Sequence, residues 1–148
     1  MNIVIVLAAQ YLFLASIVLF GWFFLTLTST VKKKFLTLTL VSFPFALGIA
    51  KLSGAVFNDP RPFVSDNIKP LISHVADNGF PSDHALLTMA IASVVFVYNR
   101  KFGLLLATIS FIVGFSRVLA GIHHPIDILG AMIIAIVAVG GITKLIRL

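Results

Sequence analysis

Long apolar runs, broken at only a few polar points, dominate the chain. A bilayer core takes about 20 apolar residues per helix, and that length divides the sequence into spans. Residues 3–29 form the first, closed by Lys32, Lys33 and Lys34. Its length, the charges that follow rather than precede it, and the lack of a small-residue cleavage site read as a retained span, not a signal peptide. Residues 35–57 form a second span, with Pro44 predicting a kink. Residues 58–83 hold four prolines and read as a loop. Residues 84–98, 102–120 and 125–146 complete five spans, the last opened by Pro125 at a first-turn position that tolerates proline.

Composition agrees with the pattern. Of 148 residues, 59% are hydrophobic and 11% charged, with mean hydropathy +1.11. A soluble domain carries roughly a quarter charged residues. The chain therefore reads as one integral membrane domain, residues 1–148, an all-α polytopic bundle of about five spans. The absence of cysteine excludes disulfides and thiolate metal sites. A net charge of +6 bears on membrane orientation and anionic lipid, and nothing resembles a nucleic-acid-binding motif.

Five spans assign the polar residues to two faces. Lys32, Lys33, Lys34, Arg100, Lys101, Lys144 and Arg147 fall on one. Lys51, Arg61, Lys69 and Arg117 fall on the other, with all five acids (Asp59, Asp66, Asp77, Asp83, Asp127) and all four histidines (His74, His84, His123, His124). The positive-inside rule puts the more basic face in the cytoplasm and the histidine-bearing face outside. A multi-pass protein of the cell membrane with chemistry at its outer surface follows as the expectation.

The polar residues admit bland readings one by one. His123 and Asp127, four apart, share a helix face, and a carboxylate there fixes the tautomer and frees Nε2 as nucleophile or base; they also suit a plain helix start. Arg117 could snorkel. Ser82 or Asp83 could cap the third span, although a helix N-terminus is also an anion site. Arg61 could be a solvated loop residue, and His74 and Asp77 read best as solvated loop. Together, two arginines, a serine, a helix start and two histidines suit phosphoryl transfer, because guanidinium forks match phosphate oxygens.

"RP" at 61–62, "PSDH" at 81–84 and "SRVLAGIHHPID" at 116–127 resemble the three-part signature of the type 2 phosphatidic acid phosphatase superfamily, the membrane lipid phosphate phosphatases. The stretch from Pro60 to His84 is most like the undecaprenyl-diphosphate phosphatase branch. The resemblance implies an active site at the outer membrane face. It implies that His123 attacks phosphorus to give a phosphohistidine, Asp127 orients it, and His84 is general acid and then base. Arg61, Arg117, Ser82 and the Asp83 backbone N–H would hold the phosphoryl oxygens, with no metal and no cofactor. The lipid tail stays open among undecaprenyl diphosphate, phosphatidic acid and phosphatidylglycerol phosphate.

One position departs from the signature. Its lysine is followed by six residues and then R-P, which puts the lysine at residue 54, and that residue is glycine. Lys51 lies one helical turn away, within about 60° at 100° per residue, and is the candidate substitute. The chain is also one span shorter than the common six-helix form, leaving its lipid groove to be closed alone or by homo-oligomerisation. Two rival readings remain: a non-enzymatic headgroup-binding membrane protein, and a metal site built from His84, His123 and Asp127.

Overall fold

The computed structural model describes residues 2–66 and 68–146; Arg147, one of the basic residues counted above, lies outside them. Five long helices and one short one make the fold: α1 Asn2–Thr26, α2 Ser29–Val56, α3 Pro62–Ser65, α4 Asp83–Tyr98, α5 Arg100–Leu119 and α6 Pro125–Leu145. Four of them, α1, α2, α5 and α6, are long and apolar enough to cross a membrane. The fifth, α4, is apolar but has 16 residues. The all-helical class is as expected, and no strand occurs among the described residues.

Three boundaries differ from the sequence reading. Lys32–Lys34 do not end a helix: the break falls at Leu27–Thr28, and the three lysines ride inside the first turns of α2. Lysine is a good helix former, so charge marks the membrane edge here without breaking the backbone. Arg100 and Lys101 likewise open α5, capped by the Asn99 side chain accepting from the Phe102 N–H at 3.0 Å. The 58–83 loop contains the short helix α3, started by Pro62 at its first position. α2 runs unbroken through Pro44.

α4 is the hub. It packs on α5, α6, α1 and α2, and nine of its residues are buried. α1 and α2 lie on different flanks of it, α1 against α5 and α2 against α6. They meet near their connecting turn, where Phe35 touches the rings of Phe20, Phe23, Phe24 and Tyr98. The core between helices mixes large side chains such as Leu38, Ile91 and Leu106 with small ones such as Ala85, Ala92, Ala131 and Ala135. The small side chains let helix backbones approach where lipid offers no hydrophobic drive for association. A buried Thr88–Ser110 hydrogen bond of 2.8 Å ties α4 to α5. Many large apolar side chains also face outward, among them Ile3, Leu40, Ile133 and Val137. Such an exposed apolar surface suits a lipid surround. The packing brings the C-terminal ends of α2 and α5 and the N-terminal ends of α4 and α6 to one end of the bundle, together with residues 57–82.

Candidate functional site

The α5–α6 turn supplies the centre. Pro125 starts α6, and Asp127, three positions past His124, turns its carboxylate back over the helix start. Asp127 Oδ2 accepts from the His124 backbone N–H at 2.9 Å and pairs with His123 Nδ1 at 3.0 Å. One oxygen thus caps the helix and orients the imidazole. His123 precedes the helix, so the pairing is a capping geometry and not the one-face helical pair that the four-residue spacing suggested.

With Nδ1 committed to Asp127, His123 Nε2 carries the lone pair, and two guanidiniums aim N–H groups at it. Arg61 Nη1 lies at 3.2 Å and Arg117 Nη2 at 3.4 Å. Burial pushes the His123 imidazole below its ordinary pKa; the Asp127 bond opposes this and the two arginines add to it. Burial and the two arginines thus disfavour the charged ring.

Each arginine is fixed from a distant part of the chain. Arg61 Nε donates to Asp77 at 2.6 Å and Nη1 donates to the Ile122 carbonyl at 2.8 Å. Burial alone would raise the Asp77 carboxyl, but the Arg61 bond and charge hold it below the usual carboxylate range. Arg117 Nη1 donates to the Ala9 carbonyl at 3.0 Å, so α1 helps to aim it. Both side chains are buried, unlike the snorkelling and solvated arginines that each position alone would suggest.

His84, in the first turn of α4, faces the same space. Its ring packs edge-on against Phe13 of α1, with centroids 4.7 Å apart. A cavity of about 130 Å³ is lined by Arg61, His74, Asp83, His84, Arg117 and His123 among others. His74, expected as solvated loop, stands on its wall, its ring centroid 6.4 Å from that of His123. Burial and the neighbouring arginines lower the His74 pKa. Beyond His74, His84 and Arg117 a second, more open cavity of about 270 Å³ continues past Gln10, Tyr11 and Ser73.

Ser82 holds the position before α4 but makes no side-chain cap, and its buried Oγ has no hydrogen-bond partner among the described residues. It lies between Pro81 and Asp83, which both line the central cavity, without lining it itself. Lys51 is not brought to that cavity. It is exposed on α2, on the wall of an apolar groove of about 600 Å³ between α2 and α4 that reaches Asp83. The signature slot three residues on is closed by packing: a Cβ on Gly54 would stand 2.8 Å from the Phe80 carbonyl oxygen. Loop 57–82 crosses α2 at that point, so no side chain fits there.

Asn78 holds that crossing and escaped the sequence reading. Its Oδ1 accepts from the Asp59 and Phe80 N–H groups at 2.9 and 3.0 Å. Its Nδ2 donates to the Gly54 and Phe57 carbonyls at 2.8 and 3.0 Å. Only its neighbour Gly79 hinted at a special turn. The rival reading of His84, His123 and Asp127 as one metal set finds no support among the described residues, where His84 is not grouped with the two acids and His124 that cluster at the start of α6.

The helical bundle thus brings His84, His123 and two buried arginines to one cavity. The chain matches the PAP2 superfamily over residues 35–147 and belongs to it. Among curated relatives, "Undecaprenyl-diphosphatase BcrC" of Bacillus subtilis is 40% identical over 98 residues, 61% of this chain and 51% of that protein. "Bacitracin transport permease protein BcrC" of Bacillus licheniformis is 31% identical over 142 residues, 93% of this chain and 68% of that protein. The chain thus spans about half to two thirds of the length of these relatives. In fold it resembles LpxE of Aquifex aeolicus, with TM-score 0.73, 20% identity, and coverage of 95% of this chain and 81% of the other. It also resembles a transmembrane PAP2 type phosphatidylglycerolphosphate phosphatase of Bacillus subtilis, with TM-score 0.63, 23% identity, and coverage of 98% and 77%.

Proposed function

We propose that this chain is a single-domain, metal-independent lipid phosphatase of the cell membrane that hydrolyses undecaprenyl diphosphate to undecaprenyl phosphate and phosphate at the outer face. The observation that carries the reading is the meeting of two buried guanidiniums at the nucleophilic nitrogen of an Asp-oriented histidine, with a second histidine on the same cavity. The relatives named as undecaprenyl-diphosphatases supply the choice of lipid. The name "transport permease" carried by one relative is a weaker guide, because a transport path does not need a histidine held as a neutral nucleophile.

The chemistry follows from the placements. His123 Nε2 attacks the terminal phosphorus, an N–P bond forms and the bridging P–O bond breaks. The arginine N–H groups that meet at Nε2 in the free protein, with the Asp83 N–H at the start of α4, take the phosphoryl oxygens; Ser82 Oγ, which does not line the cavity, is left out of this set. Donors fixed in advance toward developing charge usually give the largest catalytic contribution. Protonated His84 gives its proton to the leaving oxygen, on the side where the second cavity has room for the lipid phosphate. Neutral His84 then takes a proton from water, whose oxygen attacks phosphorus as the N–P bond breaks. Asp127 keeps Nδ1 protonated and stabilises positive charge on the ring throughout. Two arginines supply the neutralisation a metal would otherwise give. Lys51, on the apolar groove, takes no part at the transferred phosphoryl group. The lipid partner arrives from the bilayer, and the bundle works without nucleic acid.

Purified protein in detergent tests this with a polyprenyl diphosphate, phosphatidic acid and phosphatidylglycerol phosphate. Phosphate release from the diphosphate is expected to be fastest, unchanged by chelator and inhibited by vanadate, which mimics five-coordinate phosphorus. Loss in chelator restored by a divalent ion, or preference for a monophosphate lipid, would overturn the respective part.

A further inference from the structure

The partner of Asp127 that sequence reasoning did not reach is on the far side of its carboxylate. Asp127 is fully buried. Its Oδ2 takes both available donors, from His123 and the His124 backbone, while Oδ1 is buried with no donor among the described residues. A buried charged acceptor without a donor carries its whole desolvation cost. Another acid stands beside it: an oxygen of Asp59, an oxygen of Asp127 and a ring nitrogen of His124 lie within 4.8 Å of one another. Two ionised carboxylates in such a place repel, and one proton shared between them removes the repulsion and supplies the missing donor.

We propose that Asp59 is a positioning residue: its carboxyl group carries one proton, donates it to Asp127 Oδ1, and so holds the carboxylate that orients His123. The role rests on the reading of His123 as nucleophile.

The surroundings are built for it. The Asp59 backbone is pinned on both sides, its N–H to Asn78 Oδ1 at 2.9 Å and its carbonyl accepting from the Gly79 N–H at 2.8 Å. Gly79 presses over the pair so closely that a Cβ there would lie 2.8 Å from Asp127 Oδ2 and 3.1 Å from the Asp59 carbonyl oxygen. Behind Asp59 stands His124, with Nδ1 at 3.1 Å from Asp59 Oδ2 and Nε2 at 3.3 Å from Asp66 Oδ2. Both ring nitrogens face carboxyl groups. Burial works against the charged ring, but Asp66 and Asp59 raise its pKa. Burial, then the charge of Asp127, raises the Asp59 carboxyl against the opposing pull of His124. The charged and titratable groups around Asp59 are therefore Asp127 and His123 at the α6 start, His124 in the turn, Asp66 behind it, and Arg61 with Asp77 on its own loop. With Asp59 neutral, a single negative charge faces His123 Nδ1, and Nε2 keeps its lone pair.

The test separates proton, charge and cation. Asp59→Asn places a permanent N–H donor at Oδ1; Asp59→Ala removes it. At neutral pH the infrared spectrum of the full-length protein should contain a carboxylic-acid C=O stretch that is missing from Asp59→Asn. This measurement needs no catalysis, so it stands if the phosphatase reading fails. In turnover of a polyprenyl diphosphate, Asp59→Ala should lower kcat roughly 10–100-fold, the usual scale for losing a partner behind a ligand or catalytic group, with KM unchanged. Asp59→Asn should keep most of kcat and should flatten the fall of kcat that is expected of the native protein as pH rises and Asp59 ionises. Absence of the band, or Asn as damaging as Ala, would mean that Asp59 acts as an anion. Native kcat in Asp59→Ala would remove its role altogether. Activity lost in chelator, regained with Mg²⁺ or Mn²⁺ and absent in Asp59→Asn, would put a cation where the proton is proposed.

Discussion

At the scale of single residues, one side chain does several jobs. Asp127 caps a helix and orients an imidazole with the same oxygen, and Arg61 joins Asp77, Ile122 and His123. Such sharing makes substitutions separable by consequence. Under the proposed mechanism, His123→Ala should leave no phosphorylated protein. His84→Ala should slow turnover on the order of 10²–10⁴-fold, as for a lost general acid, yet still accept phosphate from a nitrophenyl ester, whose leaving group needs little protonation. Since the proposal also assigns water activation to His84, rapidly quenched His84→Ala should accumulate acid-labile phosphate. Equal labelling of the two variants would show that the nucleophile is another residue. Asn78 predicts a purely structural effect. At about 1 kcal/mol net per hydrogen bond, Asn78→Ala should cost roughly 2–4 kcal/mol, the Phe57 bond being exposed. Asn78→Asp should be destabilising as well, since it turns a carboxylate toward the Gly54 and Phe57 carbonyls; thermal melts in detergent check both. A melting temperature equal to the native one would mean the loop is held elsewhere.

Elements were legible in the sequence where they are periodic or apolar over many residues, and less so where neighbours decide. Helix ends near Ser82 and Pro125 followed from capping and proline chemistry, which are local. The start of α2 did not, because three lysines limit membrane depth but favour helix. α3 has four residues and depends on Pro62 and the packing of its loop, with no period to read. The site divides in the same way. His84, Arg61, Arg117, His123 and Asp127 stand in motif spacings, whereas Asn78, Asp59 and the Ala9 carbonyl enter through contacts 19 to 108 residues apart. Lys51 illustrates the limit: helical angle allowed it to replace the residue at 54, but the loop crossing at Gly54 leaves it on the groove instead. It follows that rebuilding the signature should fail. Gly54→Lys forces a Cβ against the Phe80 carbonyl, and overpacking of this kind costs roughly 1–3 kcal/mol. A lower melting temperature with no gain in phosphate release is expected; a more active, equally stable Gly54→Lys would show that the loop can move aside.

At the scale of the molecule, the contact between Arg61 and His123 constrains topology by itself. Residues 57–82 and 120–124 must lie at the same membrane surface for these side chains to stand 3.2 Å apart. The chain between them is α4 and α5, so both cross the bilayer or neither does. α5 has 20 residues and mean hydropathy 2.0, suited to crossing. α4 must then cross with 16, about 24 Å at 1.5 Å per residue against a hydrocarbon core of about 30 Å. A lone helix of that length would thin the bilayer around it. Wrapped by α1, α2, α5 and α6, α4 instead meets protein along most of its surface, and its length need not match the lipid. The orientation we propose rests on charge. Lys32, Lys33, Lys34, Arg100, Lys101 and Lys144 lie at the end away from the site, and the positive-inside rule predicts that end to be cytoplasmic. The chain contains no cysteine, so single introduced thiols report without background. Val75 is 71% exposed on the site-bearing loop. Val75→Cys should react with a membrane-impermeant thiol reagent on intact cells, and Lys33→Cys only after the cells are broken. The reverse pattern would invert the molecule and place the phosphoryl site in the cytoplasm. Labelling of both on intact cells would mean that α2, the one long helix between these two positions on the chain, does not cross.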